Sequence, residues 1–183
     1  MKELVHRAEV AGIRGASIRI IGGAALRIAH FHREATVDID ARIKPWDELE
    51  PIVRVIAAEH SWPENWLNTN ASQFIPHLGK TVEWVPLYET EAVVVSVAAA
   101  DAMLAMKLLA LGRRRGRDAA DVAQLLVLNK ITSVEAAEQL FEEFYPGDAL
   151  DDEAIRALEH IFEVGLPDNP SQEPDQGPDG PRT

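Results

Sequence analysis

With 183 residues, 46 % of them hydrophobic and 26 % charged, the chain can bury a core and is too apolar for global disorder. The absence of cysteine excludes disulfides, thiolate metal sites and a cysteine nucleophile. A net charge of -12 opposes generic nucleic-acid binding, so a phosphate ligand must be met by a local basic spot.

No apolar run reaches the span of a membrane helix, and the opening Met1-Lys2-Glu3-Leu4-Val5-His6-Arg7 is too polar for a signal peptide, so no membrane contact and a cytoplasmic location are expected. Leu4, Val5, Ala8, Val10 and Ala11 recur at helical spacing and predict a helix ending near Gly12 or Gly15. Ser17-Ile18-Arg19-Ile20-Ile21 reads as a strand that runs into Gly22-Gly23 and then a helix over Ala24 to Ala29. The stretch Thr36 to Ile43 alternates strictly, which predicts a strand with Thr36, Asp38 and Asp40 on one face and Val37, Ile39 and Ala41 on the other.

Pro45 opens a helical stretch up to His60, and Trp62 to Pro76 mixes aromatics with turn formers, so it reads as an ordered loop. Strands are expected at Thr81 to Val85 and Ala92 to Val97. From Asp101 the period turns helical: Ala102 to Leu111 is apolar except for Lys107, which predicts a buried helix. Helices follow at about Asp118 to Leu128, from the capping signal Thr132-Ser133-Val134-Glu135, and at about Asp151 to Val164 with Gly165 just past its end. Beyond residue 165, prolines alternating with Asp, Gln and Gly predict a disordered tail.

Nucleotidyl transfer needs Mg²⁺ on carboxylate oxygens and contacts that neutralise a triphosphate. A diglycine turn lets backbone N–H groups approach phosphate without a Cβ in the way, the helix N-terminus behind it adds positive partial charge, and Asp38 and Asp40 stand on the neighbouring predicted strand. Taken singly, each signal has a bland reading. An Asp-x-Asp triplet is often a solvated strand face, and Gly-Gly is often only a tight turn.

In combination the blocks Gly22-Gly23-Ala24-Ala25-Leu26, Arg33 to Asp40, Met103 to Ala110 and Arg117-Asp118-Ala119-Ala120-Asp121 resemble the AbiEii-type nucleotidyltransferase family. The resemblance covers roughly Ile20 to Pro146 and includes Trp66-Leu67-Asn68 and Phe144-Tyr145-Pro146. It implies an α+β fold: a polymerase β-like nucleotidyltransferase lobe, a mixed sheet with flanking helices over residues 1–100, then a helical lobe over 101–165 and the tail over 166–183, with the nucleotide in the cleft between the lobes. It also implies transfer of an NMP from an NTP with Mg²⁺ to an acceptor, a tRNA 3′ end first among acceptors, in a toxin restrained by an antitoxin protein. The alternatives are a protein-nucleotidylating enzyme and a catalytically degenerate nucleotide-binding or interaction module.

By the same resemblance Gly22, Gly23 and Thr36 are nucleotide-binding, Asp38 and Asp40 are catalytic metal ligands, Lys107 reaches a phosphate, and Asp118 orders Lys107 or an attacking hydroxyl. Physics permits other readings: Lys107 can snorkel to water, and Asp118 can be a helix N-cap. Arg113, Arg114, Arg115 and Arg117 concentrate positive charge that suits an RNA backbone or an acidic partner, or they form a solvated turn. A third carboxylate, common in polymerase β-like enzymes, is replaced by Ser96, with Glu83 or Glu91 as substitutes. Trp62, Trp66 and Trp84 are expected to pack rather than stack on a base.

Overall fold

The computed structural model describes residues 1–30, 38–112 and 118–167. The tail from residue 168 lies outside them. Among the described residues the chain is α+β, with seven α-helices and one mixed five-stranded sheet divided between two compact units.

The first unit gathers Met1–Ala25, Ala35–Gln73 and Trp84–Ala98. It holds α1 (Lys2–Val10), β1 (Ala16–Ile21), α2 (Gly22–Ala25), β2 (Ile39–Lys44), α3 (Trp46–His60), β3 (Leu67–Asn68), β4 (Trp84–Glu89) and β5 (Val93–Ala98). The sheet order is β3-β2-β1-β5-β4, with β1 antiparallel to β2 and parallel to β5, and with β3 parallel to β2. Period-2 alternation settles the faces. Ile18 and Ile20 pair with Ile43 and Ala41 on one side and with Val95 and Val97 on the other, and all six are buried. The opposite face carries Asp40, Arg42, Arg19 and Ser96 in the same registers. α1 packs on β5 and α3 through Leu4, Val5 and Ala8, while α3 buries Leu49, Val53, Ile56 and Ala57.

Several expected boundaries move. β2 begins at Ile39, so Asp38 stands just ahead of the strand and not within it. The helix expected over Ala24 to Ala29 is a four-residue α-turn from Gly22 that continues as a π-helical turn over Leu26–His30. The strand expected at Thr81 to Val85 lies at Trp84–Glu89, where the register shifts between Pro86 and Tyr88, because proline cannot donate to the ladder. Within the expected loop, Leu67 and Asn68 pair with Ile39 and Asp40 as β3, a strand too short to show a period. Trp66 anchors this segment by donating from Nε1 to the Val53 carbonyl at 3.1 Å.

The second unit contains Leu26–Glu34, Phe74–Glu83 and Ala99–Thr183. Its centre is α4 (Ala100–Leu111), buried on nearly every side, with α5 (Ala119–Leu128), α6 (Val134–Phe144) and α7 (Asp152–Val164) packed against it. A helix apolar on nearly every side is stable only in such surroundings. α6 contributes Ala137, Phe141 and Phe144, and α7 contributes Ala154, Leu158 and Ile161, each at steps of four and three residues. Burying Phe141 and Phe144 stabilises this unit by about 2–3 kcal/mol each. Ser133 accepts from the Ala136 N–H at 3.2 Å and Asp151 from the Ala154 N–H at 2.8 Å, so both helices start on capped turns. No helix among the described residues is long and apolar enough to cross a membrane.

Candidate functional site

In the first unit the sheet register brings the diglycine turn to the acidic strand. Ile21, the last residue of β1, pairs with Asp40, so the residue that follows it, Gly22, lies beside the Asp40 carboxylate. Gly22 has φ 68°, a left-handed conformation that favours glycine. A Cβ built there would lie 3.0 Å from Asp40 Oδ2, so glycine is required both by the turn and by the close approach. Gly23 is the second residue of α2, and Asp38 stands two residues before Asp40; both are half-buried. Because α2 is only one turn long, a helix dipole adds little here, and a phosphate would be met by backbone N–H groups.

Ser96 pairs with Arg19 on β5, one strand from the acids and on the same face, where it is buried and neutral. Glu91 does not replace the missing acid: its carbonyl accepts from the Gly15 N–H at the start of β1, the end opposite Asp40. Glu83 belongs to the other unit. Among the described residues of the first unit, Asp38 and Asp40 are the two carboxylates at the diglycine end of β2 and the candidates for a metal, and two carboxylates with substrate phosphates and water suit Mg²⁺. Thr36 lies outside the described residues, as do Arg113, Arg114, Arg115 and Arg117.

Asn68 adds a polar side chain beside Asp40. It is buried, it accepts from the Asn70 N–H at 2.9 Å, and it donates to the Asn65 carbonyl at 3.3 Å. Among the tryptophans, Trp66 is a buried anchor, Trp62 stacks on His60, and Trp84 lies under the Arg19 guanidinium.

In the second unit Lys107 does not snorkel to solvent. Its side chain is buried, and Nζ donates to Asp118 Oδ1 and, at 2.8 Å, to Asp121 Oδ2. The packing of α4 on α5 makes this contact, and Asp121 follows Asp118 by three residues, so both acids share one side of α5's first turn. Asp118 occupies the N-cap position without accepting a helix N–H through its side chain. Its carboxylate serves Lys107 instead, and its Oδ2 is buried without a hydrogen-bond partner. Among the described residues Lys107 thus contacts both buried carboxylates. A buried acceptor left unmatched costs roughly 1–3 kcal/mol and is a natural place for a ligand proton. Asp121 receives no role from the sequence, although its spacing from Asp118 is the signal that could have found it.

Comparison with known proteins adds one finding. The family model described as "Nucleotidyl transferase AbiEii toxin, Type IV TA system" matches residues 72–176, more than half of the chain. The match takes in β4, β5 and α4 to α7 with Lys107, Asp118 and Asp121, and it begins after Gly22, Gly23, Asp38 and Asp40. No curated protein and no solved structure gives a significant match.

Proposed function

The chain belongs to the AbiEii nucleotidyl transferase toxin family of type IV toxin-antitoxin systems, and on that footing we propose that it transfers a nucleoside monophosphate from an NTP to the 3′ end of a tRNA with the help of Mg²⁺. The observation that supports this reading is the seating of Gly22 against the Asp40 carboxylate. Asp38 and Asp40 would hold the metal, which supplies charge neutralisation at the phosphates when bound. Backbone N–H groups of Gly22 and Gly23 would receive the β- and γ-phosphates, and Thr36 is proposed as a nucleotide contact by the family resemblance alone. By the family resemblance Lys107 is proposed to reach a phosphate, and Asp118 to order Lys107 or the attacking hydroxyl, whose proton passes to water. That hydroxyl oxygen forms the new bond to the α-phosphorus as pyrophosphate leaves. Arg113, Arg114, Arg115 and Arg117 are proposed to hold RNA phosphates, and an antitoxin protein is the proposed partner.

The test is incubation of the pure protein with labelled NTPs, Mg²⁺ and either total tRNA or lysate protein. Label on tRNA with release of pyrophosphate supports the proposal, and label on protein alone overturns the tRNA acceptor. Growth arrest on expression, abolished by Asp40→Ala, tests the toxin role. Ser96 at the third-acid position favours a second reading, a nucleotide-binding module without catalysis; it would bind Mg²⁺-NTP yet release no pyrophosphate.

A further inference from the structure

The polar face of the sheet sets two arginines directly opposite each other. Arg19 on β1 pairs with Arg42 on β2, and on its other side Arg19 pairs with Ser96 on β5. Directly opposed residues on neighbouring strands point the same way with Cβ atoms roughly 4.5–5.5 Å apart, and like charges in that position destabilise the sheet. Both arginines are half-buried. The Arg19 guanidinium lies over the Trp84 ring at 5.0 Å from its centroid, and Arg42 has no carboxylate partner among the described residues. Acidic residues number 30 in this chain, so a pair of arginines kept side by side without one is a place for an anion from outside. The guanidinium fork matches phosphate oxygens in pairs.

Position identifies which phosphate. Arg42 follows Asp40 by two residues on the same face, roughly 7 Å along the strand. Gly22 lies on the other side of Asp40, beyond Ile21. With the donor's β- and γ-phosphates at the diglycine turn, the arginines stand on the side of Asp40 away from them. Resting on the transferase reading, we propose that Arg19 and Arg42 form a subsite for a phosphodiester of a polynucleotide acceptor, near the hydroxyl that attacks. Ser96 completes the row: a carboxylate there would neutralise Arg19, whereas a hydroxyl leaves the row cationic.

The test compares wild type, Arg42→Gln and the double variant Arg19→Gln/Arg42→Gln in two assays. One is binding of a fluorescent single-stranded RNA dodecamer over a salt series without nucleotide; the other is calorimetry with each NTP and Mg²⁺. The double variant is expected to bind RNA about tenfold more weakly. Its slope of log K against log salt should flatten by about 0.7 for each RNA phosphate that the variant no longer neutralises. Mg²⁺-NTP affinity should stay unchanged, and Tm should hold or rise because opposed like charges are gone. Loss of NTP affinity with RNA binding intact would assign the pair to the donor and overturn the proposal. Absence of RNA binding by wild type, or unchanged RNA binding by the double variant, would also overturn it. Failure of wild type to bind Mg²⁺-NTP would count against the transferase reading while leaving the RNA result readable.

Discussion

Lys107 Nζ donates to Asp121 Oδ2 at 2.8 Å while also holding Asp118, so a buried ammonium bridges two buried carboxylates. Removing the cation takes a buried counter-charge away from both anions. Lys107→Met is therefore expected to lower stability by about 3–5 kcal/mol, and Asp121→Asn, which removes one of the two negative charges, by much less. Denaturant melts of both variants check this order; a Lys107→Met protein as stable as wild type would show that the triad carries no such charge.

Gly22 combines a left-handed backbone with a carboxylate at contact distance. Gly22→Ala is expected to cost about 1–2 kcal/mol from the backbone alone. Because the new methyl meets Asp40 Oδ2, the acid must shift, so transfer activity should fall more than tenfold. Activity per folded molecule separates the two effects. Retained activity would mean that Asp40 is not fixed by this turn.

Tyr145 donates its phenol proton to the Phe74 carbonyl, and burial pushes its pKa well above the ordinary value of 10.0, with Asp148 adding to the shift. A group whose pKa is raised on folding contributes stability that is complete below its unfolded pKa and is lost as pH rises toward the folded value. Stability should therefore decline above pH 10.0. Tyr145→Phe should cost about 1 kcal/mol at neutral pH and remove that decline. Thermal melts across the alkaline range decide it.

Arg7 bridges α1 and α3 by holding Glu3 and Glu59, and His60 Nε2 lies 2.9 Å from Glu3 Oε2. The hydrogen bond from His60, with Arg7 behind it, lowers the Glu3 carboxyl pKa below its ordinary 4.5, and the Arg7 contact does the same for Glu59. Depressed carboxyl pKa values give stability that is present above pH 4.5 and lost as pH falls through the folded values. Arg7→Ala should melt earlier than wild type at neutral pH, and the gap should close in acid. Added salt should shrink the gap too, because these groups are exposed.

Much of this is legible in the chain. β-Branched runs mark β1 and β5, the apolar run marks α4 as buried, and Ser133 and Asp151 stand at helix starts as their types suggest. The Gly-Gly and Asp-x-Asp signals lie together because Ile21 pairs with Asp40, which no local pattern states. Register is a tertiary choice, and for the same reason the opposition of Arg19 and Arg42 is hidden, although each sits at an alternating position among apolar neighbours. β3 escapes a periodicity reading because two residues carry no period, and β4 is displaced from its expected place because Pro86 and the register shift break its alternation. Lys107 announces itself by its apolar surroundings, but its anions are carboxylates three residues apart at the start of α5.

Calorimetric titration of Mg²⁺-NTP into wild type and Asp40→Asn tests the central claim most directly, that Asp40 and the Gly22 turn hold a metal-bound triphosphate. Wild type should bind in a Mg²⁺-dependent manner, and Asp40→Asn should bind at least about tenfold more weakly while remaining folded. Equal affinity in the two proteins, or wild-type binding indifferent to Mg²⁺, would contradict it.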